Sequence, residues 1–222
     1  MSNKNKTIMV TGGCGFIASH FIEHIHRKTN WNIIVIDKLS YASSGLSRLR
    51  DAELLSSPRL RIFTWDLCQP FSIGLRKEMS DIHYIIHMAA ETHVDNSIRN
   101  PVDCIQNNVM STVQLLEYAR TLNTLEKFFY FSTDEVYGES MLNVDETHKT
   151  EHSILCPTNP YAGTKAGAEL IAQSYNHSFG MPIIITRGNN VYGPNQYPEK
   201  LIPRFIKLLR ENKKVTIQGS GE

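Results

Sequence analysis

The sequence predicts an α/β protein built on a doubly wound parallel sheet with helices on both faces. Six short apolar segments recur between residues 7 and 186, and stretches with helical spacing of apolar residues separate them. Strands that alternate with helices pair in parallel, because each helical crossover returns the chain to the same edge of the sheet. We expect this domain to occupy residues 1–187 and a smaller C-terminal region to begin in residues 188–222.

Composition and charge exclude several classes of protein. The 222 residues suffice for one large domain, and 41% hydrophobic with 20% charged residues is typical of globular proteins. The formal net charge of +1 gives no electrostatic basis for binding nucleic acid or an anionic membrane. Residues 1–6 are polar and do not resemble a signal peptide, and no apolar run has membrane-spanning length. We therefore expect a cytoplasmic protein.

The cysteines are widely spaced, with no CxxC pair and no histidine cluster beside them: Cys14, Cys68, Cys104 and Cys156. This spacing argues against a disulfide framework and against zinc, so we expect no metal and free thiols in a reducing compartment. Cys14 lies inside a glycine turn and is expected to be a small neutral filler, because no base is evident beside it.

The first strand–helix–strand unit carries a glycine-rich turn. A strand at residues 7–11 leads into the glycine turn at residues 12–18, a helix follows to about Lys28, and a second strand at residues 32–36 ends at Asp37. Glycines let the backbone approach a pyrophosphate closely, and the helix N-terminus meets the negative charge. Strand, glycine turn, helix, strand and acid together predict a Rossmann-like dinucleotide site.

The acid at the end of the second strand favours NAD as the cofactor. Asp37 can accept hydrogen bonds from the adenosine ribose and would repel the 2′-phosphate of NADP. Lys38 beside it weakens this preference slightly. Ala18 stands at the third glycine position, a substitution that the fingerprint tolerates.

The alternation of strands and helices continues toward the C-terminus. The predicted elements are strands at residues 60–65, 81–87, 128–131 and 182–186, helices at 101–122, 161–178 and 201–210, irregular segments at 139–159 and 187–194, and the start of a strand at 215–217. Asn100 and Pro101 suit the cap and the first position of a helix. A long irregular segment inside a compact domain favours a functional flap or rim over a spacer.

Two adjacent carboxylates follow the apolar strand at residues 128–131, in the stretch Ser132-Thr133-Asp134-Glu135-Val136-Tyr137-Gly138. An isolated acidic pair would be interpreted as a solvated turn, because buried carboxylates lose their hydration. Here the pair stands at the carboxyl end of a strand in an open α/β sheet, which is where ligands bind. Asp134 and Glu135 are therefore candidate catalytic groups.

A Tyr-x-x-x-Lys motif opens the helix at residues 161–178. Taken alone, Tyr161 and Lys165 could be only a helix start with an exposed lysine. With Thr133 after the preceding strand, they resemble the Tyr/Lys/Ser-Thr triad of short-chain dehydrogenases/reductases. The ammonium of Lys165 and the positive nicotinamide together are expected to lower the pKa of Tyr161 toward that of a useful base, while Thr133 hydrogen-bonds the same substrate oxygen.

The remaining histidines and arginines are less informative. His87 ends the predicted fourth strand and His93 lies in the loop after it, and neither has a partner that is evident in the sequence. Arg99 and Arg187 could each bind phosphate or form a surface or interior ion pair, and both interpretations stay open.

Longer motifs occupy residues 12–18, 37–42, 87–95, 132–138, 161–165 and 190–203. Together they resemble the nucleotide-sugar 4,6-dehydratases, extended short-chain dehydrogenases typified by dTDP-glucose 4,6-dehydratase. The stretch TRGNNVYGPNQYPEKLIP is especially similar to the UDP-glucose dehydratase domain of UDP-rhamnose synthases. That family continues past residue 222, so we expect a truncated chain whose residues 188–222 form part of the substrate-binding region.

The resemblance implies dehydration of dTDP-glucose or UDP-glucose to a 4-keto-6-deoxy sugar, in deoxysugar or rhamnose biosynthesis. Tyr161, helped by Lys165 and Thr133, would deprotonate the glucose 4-hydroxyl while hydride passes from C4 to NAD. Glu135 would then remove the C5 proton, and protonated Asp134 would donate to the departing 6-hydroxyl. Return of hydride to C6 regenerates NAD, so the cofactor should stay bound.

The resemblance also implies binding residues and an oligomer. The NAD site would be lined by Gly12, Gly15, Phe16, Ile17, Asp37, Lys38, Leu39, Ser40, Asp66, Leu67, Ala89, Ala90, Glu91, Asn107, Tyr161, Lys165 and Val191. The sugar nucleotide would meet Thr92, Thr133, Asn190, Glu199, Lys200, Val215, Thr216 and Ile217. The helices at residues 101–122 and 161–178 would form the surface of a homodimer.

Two other functions stay open at this point. A nucleotide-sugar 4-epimerase shares the fold, NAD, Tyr161 and Lys165, but it needs no acid/base pair beside the active-site hydroxyl. Asp134 and Glu135 therefore argue against it. A non-catalytic NAD-binding module is disfavoured by the intact catalytic set, although a truncated chain could be inactive. The sequence does not decide between a thymidine and a uridine nucleotide.

Overall fold

The computed structural model describes residues 5–138 and 149–216. The chain divides into two compact units, Met1–Asn190 and Val191–Glu222. The last strand of the first unit continues one residue past the boundary that we expected after residue 187. None of the helices in the described ranges is both long and apolar enough to cross a membrane.

The first unit is organised around a six-stranded sheet in which every pairing is parallel. Its strands are β1 (Thr7–Thr11), β2 (Asn32–Asp37), β3 (Leu60–Thr64), β4 (Tyr84–His87), β5 (Lys127–Thr133) and β6 (Ile183–Gly188). They pair in the order β3-β2-β1-β4-β5-β6. The order reverses direction between β1 and β4, and ligands bind in the crevice that such a reversal opens at the carboxyl ends of the strands.

Helices connect the strands and cover the sheet. They are α1 (Phe16–Lys28), α2 (Ser47–Asp51), α3 (Ile73–Glu78), α4 (Val94–Arg99), α5 (Pro101–Ile105), α6 (Ser111–Ala119), α7 (Pro160–Phe179) and, in the second unit, α8 (Leu201–Arg210). A π-helical turn at Gln106–Met110 joins α5 to α6, and a 3₁₀ helix at Asp134–Tyr137 follows β5.

Two hydrophobic clusters fill the two faces of the sheet. Ile8 and Val10 of β1 belong to one cluster together with Ile22 of α1, whereas Met9 belongs to the other with Leu115 of α6. Successive side chains of a strand point to opposite faces, so both faces of β1 are buried. Burial on both faces explains the uninterrupted apolar strands of the sequence and confirms the predicted doubly wound α/β fold.

The single helix that we predicted at residues 101–122 is interrupted by the π-helical turn and ends at Ala119. Asn108 lies in that turn and is buried. Its amide nitrogen donates to the carbonyl of Glu91 at 3.0 Å and to the Thr164 hydroxyl at 2.9 Å, while its amide oxygen accepts from the Glu91 N–H at 2.8 Å. A π turn inserts one extra residue into a helix. Here the inserted turn contains Asn108, whose hydrogen bonds connect the loop after β4 to α7.

The structure describes only part of the segments that we predicted at residues 139–159 and 215–217. Residues 149–159 contain only turns and irregular backbone, as predicted, while residues 139–148 lie outside the described ranges. In the second unit, the strand predicted at residues 215–217 is not formed at Val215 and Thr216, and Ile217 lies outside the described residues.

Candidate active site

The glycine turn after β1 is fixed by a close approach to the loop after β4. Gly12 has a φ of +66°, and a Cβ atom there would stand 2.8 Å from the Cα of Ala89. The Thr11 hydroxyl accepts from the N–H groups of Met88 and Ala89, at 3.2 Å each. These contacts explain why the turn requires glycine, and they bring Gly12 and Ala89 together as expected.

The N-terminus of α1 suits a phosphate group. Gly15 occupies the N-cap position with extended backbone and has no side chain to cap the first turn. Its N–H donates to the carbonyl of Gly12 at 2.9 Å. The N–H groups of Phe16 and Ile17 are therefore the first ones at the N-terminus of the helix. Uncapped N–H groups and the positive end of the helix dipole favour an anion.

Asp37 connects the end of β2 to the glycine turn. Its carboxylate is 8% exposed and accepts from the N–H of Cys14 at 2.9 Å and from the N–H of Leu39 at 2.7 Å. Burial, with a smaller contribution from Asp37, raises the pKa of the Cys14 thiol to about 12. Cys14 is therefore a neutral filler, as predicted, and Asp37 holds the turn in addition to its expected role toward a ribose.

Arg48 on α2 is a residue that sequence reasoning missed. Its guanidinium donates to the carbonyls of Cys14 at 3.0 Å, Ala42 at 3.0 Å and Ser43 at 2.5 Å, and only 7% of the residue is exposed. It therefore joins the glycine turn to the loop after β2. No local pattern signals this role, because a lone arginine on a short helix is ordinarily interpreted as a solvated charge.

Lys38 meets two other predicted cofactor residues. Its ammonium donates to the side-chain oxygen of Asn107 and stands 3.7 Å from a carboxylate oxygen of Glu91. The structure therefore joins the loops after β2 and β4 to the π-helical turn. Because Glu91 balances the charge of Lys38, the lysine is less available to a 2′-phosphate, which lessens its conflict with Asp37.

Asp66 and Leu67 follow β3 but face different surroundings. Asp66 is exposed, accepts from the N–H of Cys68 at 3.0 Å, and lines an open cavity with Lys38 and Trp65. Leu67 is buried in the hydrophobic core, so only its backbone is available to a cofactor.

The carboxylate pair stands in the 3₁₀ helix that begins where β5 ends. Thr133, the last residue of β5, accepts from the N–H of Glu135 at 3.3 Å and donates to a carboxylate oxygen of Asp134 at 3.2 Å. The Tyr161 phenol lies near the Thr133 hydroxyl and both carboxylates, since all three groups act on its pKa. The structure thus brings Thr133, Asp134, Glu135 and Tyr161 into one cluster at the carboxyl end of β5.

The start of α7 positions Tyr161 and binds Glu135. Asn159 caps the helix by accepting from the N–H of Ala162 at 2.8 Å, and its amide nitrogen donates to Glu135 at 3.3 Å. The N–H of Tyr161 donates to the Ser97 hydroxyl on α4 at 3.1 Å. Sequence reasoning missed the link from Asn159 to Glu135, although Asn before Pro is a recognisable helix-cap signal.

Lys165 lies one turn along α7 and is fully buried. Its ammonium donates to the carbonyl of Phe131 at 2.6 Å and stands 4.4 Å from the centre of the Tyr130 ring. Burial lowers the pKa of Lys165 to about 7, and the negative charge of Glu169 opposes that shift. Lys165 is therefore an interior cation and not the exposed lysine of the alternative interpretation.

The residues of the chain do not by themselves lower the pKa of Tyr161, and the expected lowering with the positive nicotinamide in place stays a prediction. Burial and the negative charge of Glu135 raise the pKa of Tyr161, and the Thr133 hydroxyl only partly opposes them. Desolvation disfavours tyrosinate, and the adjacent carboxylate repels it.

The histidines and Arg187 have structural partners. His87 is buried and hydrogen-bonds the hydroxyls of Thr11 at 2.7 Å and Thr112 at 2.9 Å; burial lowers its pKa to about 3, so it is neutral. His93 accepts from the N–H of Asn96 at 3.3 Å at the start of α4. Arg187 forms an interior ion pair with Glu169 and not a phosphate site.

The remaining predicted cofactor and substrate residues belong to both units of the chain. Thr92 and Asn190 are exposed in the first unit. Val191, Glu199, Lys200, Val215 and Thr216 belong to the second unit, where Lys200 is the N-cap residue of α8. Within the described ranges, no three His, Cys, Asp or Glu side chains are grouped so as to hold a metal ion.

Comparison with known families and proteins agrees with this fold. A family model described as GDP-mannose 4,6 dehydratase matches residues 9–222. The chain therefore belongs to the GDP-mannose 4,6 dehydratase family.

Curated relatives are dehydratases of longer chain length. The chain is 43% identical over 234 residues to the dTDP-D-glucose 4,6-dehydratase of Dictyostelium discoideum, spanning 100% of this chain and 53% of that protein. It is 43% identical over 219 residues to a trifunctional UDP-glucose 4,6-dehydratase/UDP-4-keto-6-deoxy-D-glucose 3,5-epimerase/UDP-4-keto-L-rhamnose-reductase of Arabidopsis thaliana, spanning 98% of this chain and 32% of that protein.

Solved structures with the same fold include both dehydratases and epimerases. The dTDP-glucose 4,6-dehydratase DesIV from Streptomyces venezuelae, crystallised with NAD and TYD bound, matches with a TM-score of 0.87 and 38% identity, covering 97% of this chain and 65% of that chain. A UDP-N-acetylglucosamine 4-epimerase from Methanobrevibacter ruminantium matches with a TM-score of 0.84 and 30% identity, covering 99% and 67%. The fold alone therefore does not separate the two reactions.

Proposed function

We propose that the complete protein to which this chain belongs is an NAD-dependent nucleotide-sugar 4,6-dehydratase. It converts dTDP-glucose or UDP-glucose to the 4-keto-6-deoxy sugar in deoxysugar or rhamnose biosynthesis. The observation that carries the proposal is the placement of Asp134 and Glu135 beside Thr133 and Tyr161. Elimination of water requires an acid and a base next to the group that oxidises C4.

The first unit has the features that NAD requires. The uncapped N-terminus of α1 suits the pyrophosphate, Asp37 suits the ribose, and the charge balance of Lys38 with Glu91 suits a cofactor without a 2′-phosphate. When bound, NAD supplies a hydride acceptor for C4 and a hydride donor for C6. The proposed cofactor residues are those expected from the sequence, with Leu67 contributing through its backbone.

Each of three residues, Tyr161, Glu135 and Asp134, carries out one proton transfer. Tyr161, beside Thr133, takes the proton of the 4-hydroxyl, and Lys165 stabilises the resulting charge from the interior. Glu135, oriented by the amide of Asn159, removes the C5 proton that the 4-ketone acidifies. Asp134, which contacts the Thr133 hydroxyl, delivers a proton to the departing 6-hydroxyl. Two adjacent carboxyl groups in opposite protonation states suit such an elimination.

A second candidate is a nucleotide-sugar 4-epimerase. The TM-score of 0.84 to a solved 4-epimerase favours it as an alternative, since fold, Tyr161 and Lys165 serve both reactions. An epimerase returns hydride to C4 and has no use for Asp134 and Glu135. We therefore rank it below the dehydratase, and a non-catalytic NAD-binding module below both.

The experiment that tests the proposal compares two substrates with the complete protein. Incubation with dTDP-glucose and with UDP-glucose should yield a product that has lost one water, detected by mass spectrometry. A 4-epimer of unchanged mass would contradict the dehydratase and support the epimerase. The ratio of kcat/KM for the two substrates decides between a thymidine and a uridine nucleotide. Asn190, Glu199, Lys200 and residues 215–217 remain the residues that we propose to contact the substrate.

We also propose a cytoplasmic homodimer. Apolar side chains are exposed on neighbouring helices of the first unit, with Val102 74%, Ile105 50% and Leu170 54% exposed. Burying such a surface against a second copy would remove apolar area from water. Analytical ultracentrifugation of the wild-type protein and of Val102→Glu tests the dimer, which the variant should weaken. Cell fractionation tests the compartment.

A further inference from the structure

We propose that Arg187 and Tyr137 are positioning residues that hold the two carboxylates of the 3₁₀ helix in place for the elimination of water. This inference rests on the proposed dehydratase function. It assigns no proton transfer to either residue. Their role is to keep Asp134 and Glu135 at a fixed distance from Tyr161.

Arg187 lies on β6 directly beside the strand that delivers the carboxylates. Its partner in the register is Ser132 of β5, the residue before Thr133. The guanidinium donates through Nε to Glu169 of α7 at 3.0 Å, and Glu169 has no exposed surface. A buried carboxylate requires a paired cation, so this contact alone accounts for the arginine as a charge partner.

The Nη1 atom of the guanidinium donates to two acceptors that carry no charge. They are the phenol oxygen of Tyr137, at 2.7 Å, and the carbonyl of Glu151, at 3.0 Å. The guanidinium carbon also lies 4.9 Å from the centre of the Tyr137 ring. A lysine could neutralise Glu169, but only the planar fork of arginine can reach three elements at once.

Tyr137 is the last residue of the 3₁₀ helix, so Arg187 holds the end of that helix. Its start is held independently by the cap from Thr133, and its middle by the N–H of Cys156, which donates to the carbonyl of Val136 at 2.9 Å. Gly138 follows with a φ of +79°, and a Cβ there would stand 2.1 Å from the carbonyl of Cys156. Three attachments therefore fix a segment of only four residues.

The residues proposed to oxidise C4 are anchored elsewhere. Lys165 is fixed by the carbonyl of Phe131, and the backbone of Tyr161 by the Ser97 hydroxyl. None of these contacts passes through Tyr137. Loosening the end of the 3₁₀ helix should therefore slow elimination more than oxidation, because small misplacements of a catalytic group reduce rates steeply.

The test uses Tyr137→Phe, which removes one hydrogen bond and leaves the ion pair of Arg187 with Glu169 intact. The matched control is Tyr84→Phe at the amino end of β4, where the phenol donates to Glu126 at 2.5 Å. Hydrogen exchange of the ligand-free protein is measured at the amides of Gly138 and Cys156. We expect exchange there to be about fivefold faster in Tyr137→Phe, the effect of one typical hydrogen bond, and unchanged in the control.

Kinetics of the complete protein supply the second readout. Tyr137→Phe should lower kcat roughly tenfold with little change in KM, and reduced cofactor, followed by its absorbance, should accumulate during turnover because oxidation outpaces elimination. Arg187→Lys should show the same accumulation more strongly, since it keeps the charge that Glu169 needs but loses the fork. A parallel loss of oxidation and elimination, or exchange at Gly138 equal to that of the wild type, would overturn the proposal.

The outcomes separate this inference from the proposed function. If the wild-type protein releases no water from either substrate, the dehydratase function fails, while the exchange measurement still tests the attachment of the 3₁₀ helix. If the wild type is a dehydratase and Tyr137→Phe behaves like Tyr84→Phe in both readouts, the positioning role fails by itself.

Discussion

Replacing Asp37 by Asn tests whether this carboxylate supports the fold as well as the cofactor. The two oxygens of Asp37 accept from two backbone N–H groups, those of Cys14 at 2.9 Å and Leu39 at 2.7 Å. An asparagine has a single acceptor oxygen, so its amide nitrogen must face one of the two donors. Leu39 has a φ of +58°, an uncommon conformation for this residue type that the lost bond helps to maintain.

The magnitude follows from the geometry. Asp37 is 8% exposed, so a donor left without its acceptor has little access to water. Losing one charge-assisted hydrogen bond and leaving its donor unpaired costs about 2 kcal/mol. For a chain of this size, that loss corresponds to a decrease in Tm of about 4–8 °C.

The assay is urea unfolding of wild type and Asp37→Asn, first without NAD and then with it. The control is Asp66→Asn, because Asp66 is exposed and accepts a single N–H bond at 3.0 Å; its unfolding free energy should change by less than about 0.5 kcal/mol without cofactor. NAD should stabilise the wild type by an amount set by its affinity, and Asp37→Asn should reduce that increment. Equal stability of Asp37→Asn and wild type without NAD would refute the structural role, and an equal NAD increment would refute the cofactor role.

Two further predictions concern the glycine turn and Lys165. Gly12→Ala should lower the unfolding free energy by about 2–4 kcal/mol, since its φ of +66° and the Cα of Ala89 at 2.8 Å leave no room for Cβ. The control is Gly167→Ala, in open space on α7, which should raise the unfolding free energy by about 0.5–1 kcal/mol in the same denaturation assay. The opposite order of stabilities would contradict the geometry. The pKa of Lys165 is about 7 in the folded protein against 10.5 in an exposed lysine, so the unfolded chain binds more protons between these values and stability rises with pH. From pH 7 to 9 the wild type should gain about 2 kcal/mol relative to Lys165→Met, and parallel stability curves for the two proteins would count against the shift.

Local signals in the sequence were sufficient for the strands and the glycine turn. The central strands β1 and β2 are buried on both faces, so they appear as uninterrupted apolar runs, and the turn at Gly12 requires a glycine. Thr133 and Tyr161 were found in the same way, because each follows a recognisable strand end or helix start.

Features that depend on distant parts of the chain were not predicted. Arg48 hydrogen-bonds carbonyls of the glycine turn and of the loop after β2, and Asn159 hydrogen-bonds Glu135. The spacing of residues along the chain reveals neither contact. The π-helical turn exists because Asn108 bonds two other segments. The raised pKa of Tyr161 was not anticipated for a related reason, since burial is set by the whole fold.

The central claim is that Glu135, with Asp134, distinguishes this site from that of an epimerase. The most direct test is product analysis of Glu135→Gln in the complete protein, with Glu151→Gln as the control, because only the main-chain carbonyl of Glu151 contacts Arg187 and the residue is exposed. We predict that Glu135→Gln binds NAD as the wild type does but releases product without water at least about 100-fold more slowly, whereas Glu151→Gln retains full activity. Unimpaired loss of water by Glu135→Gln would contradict the account.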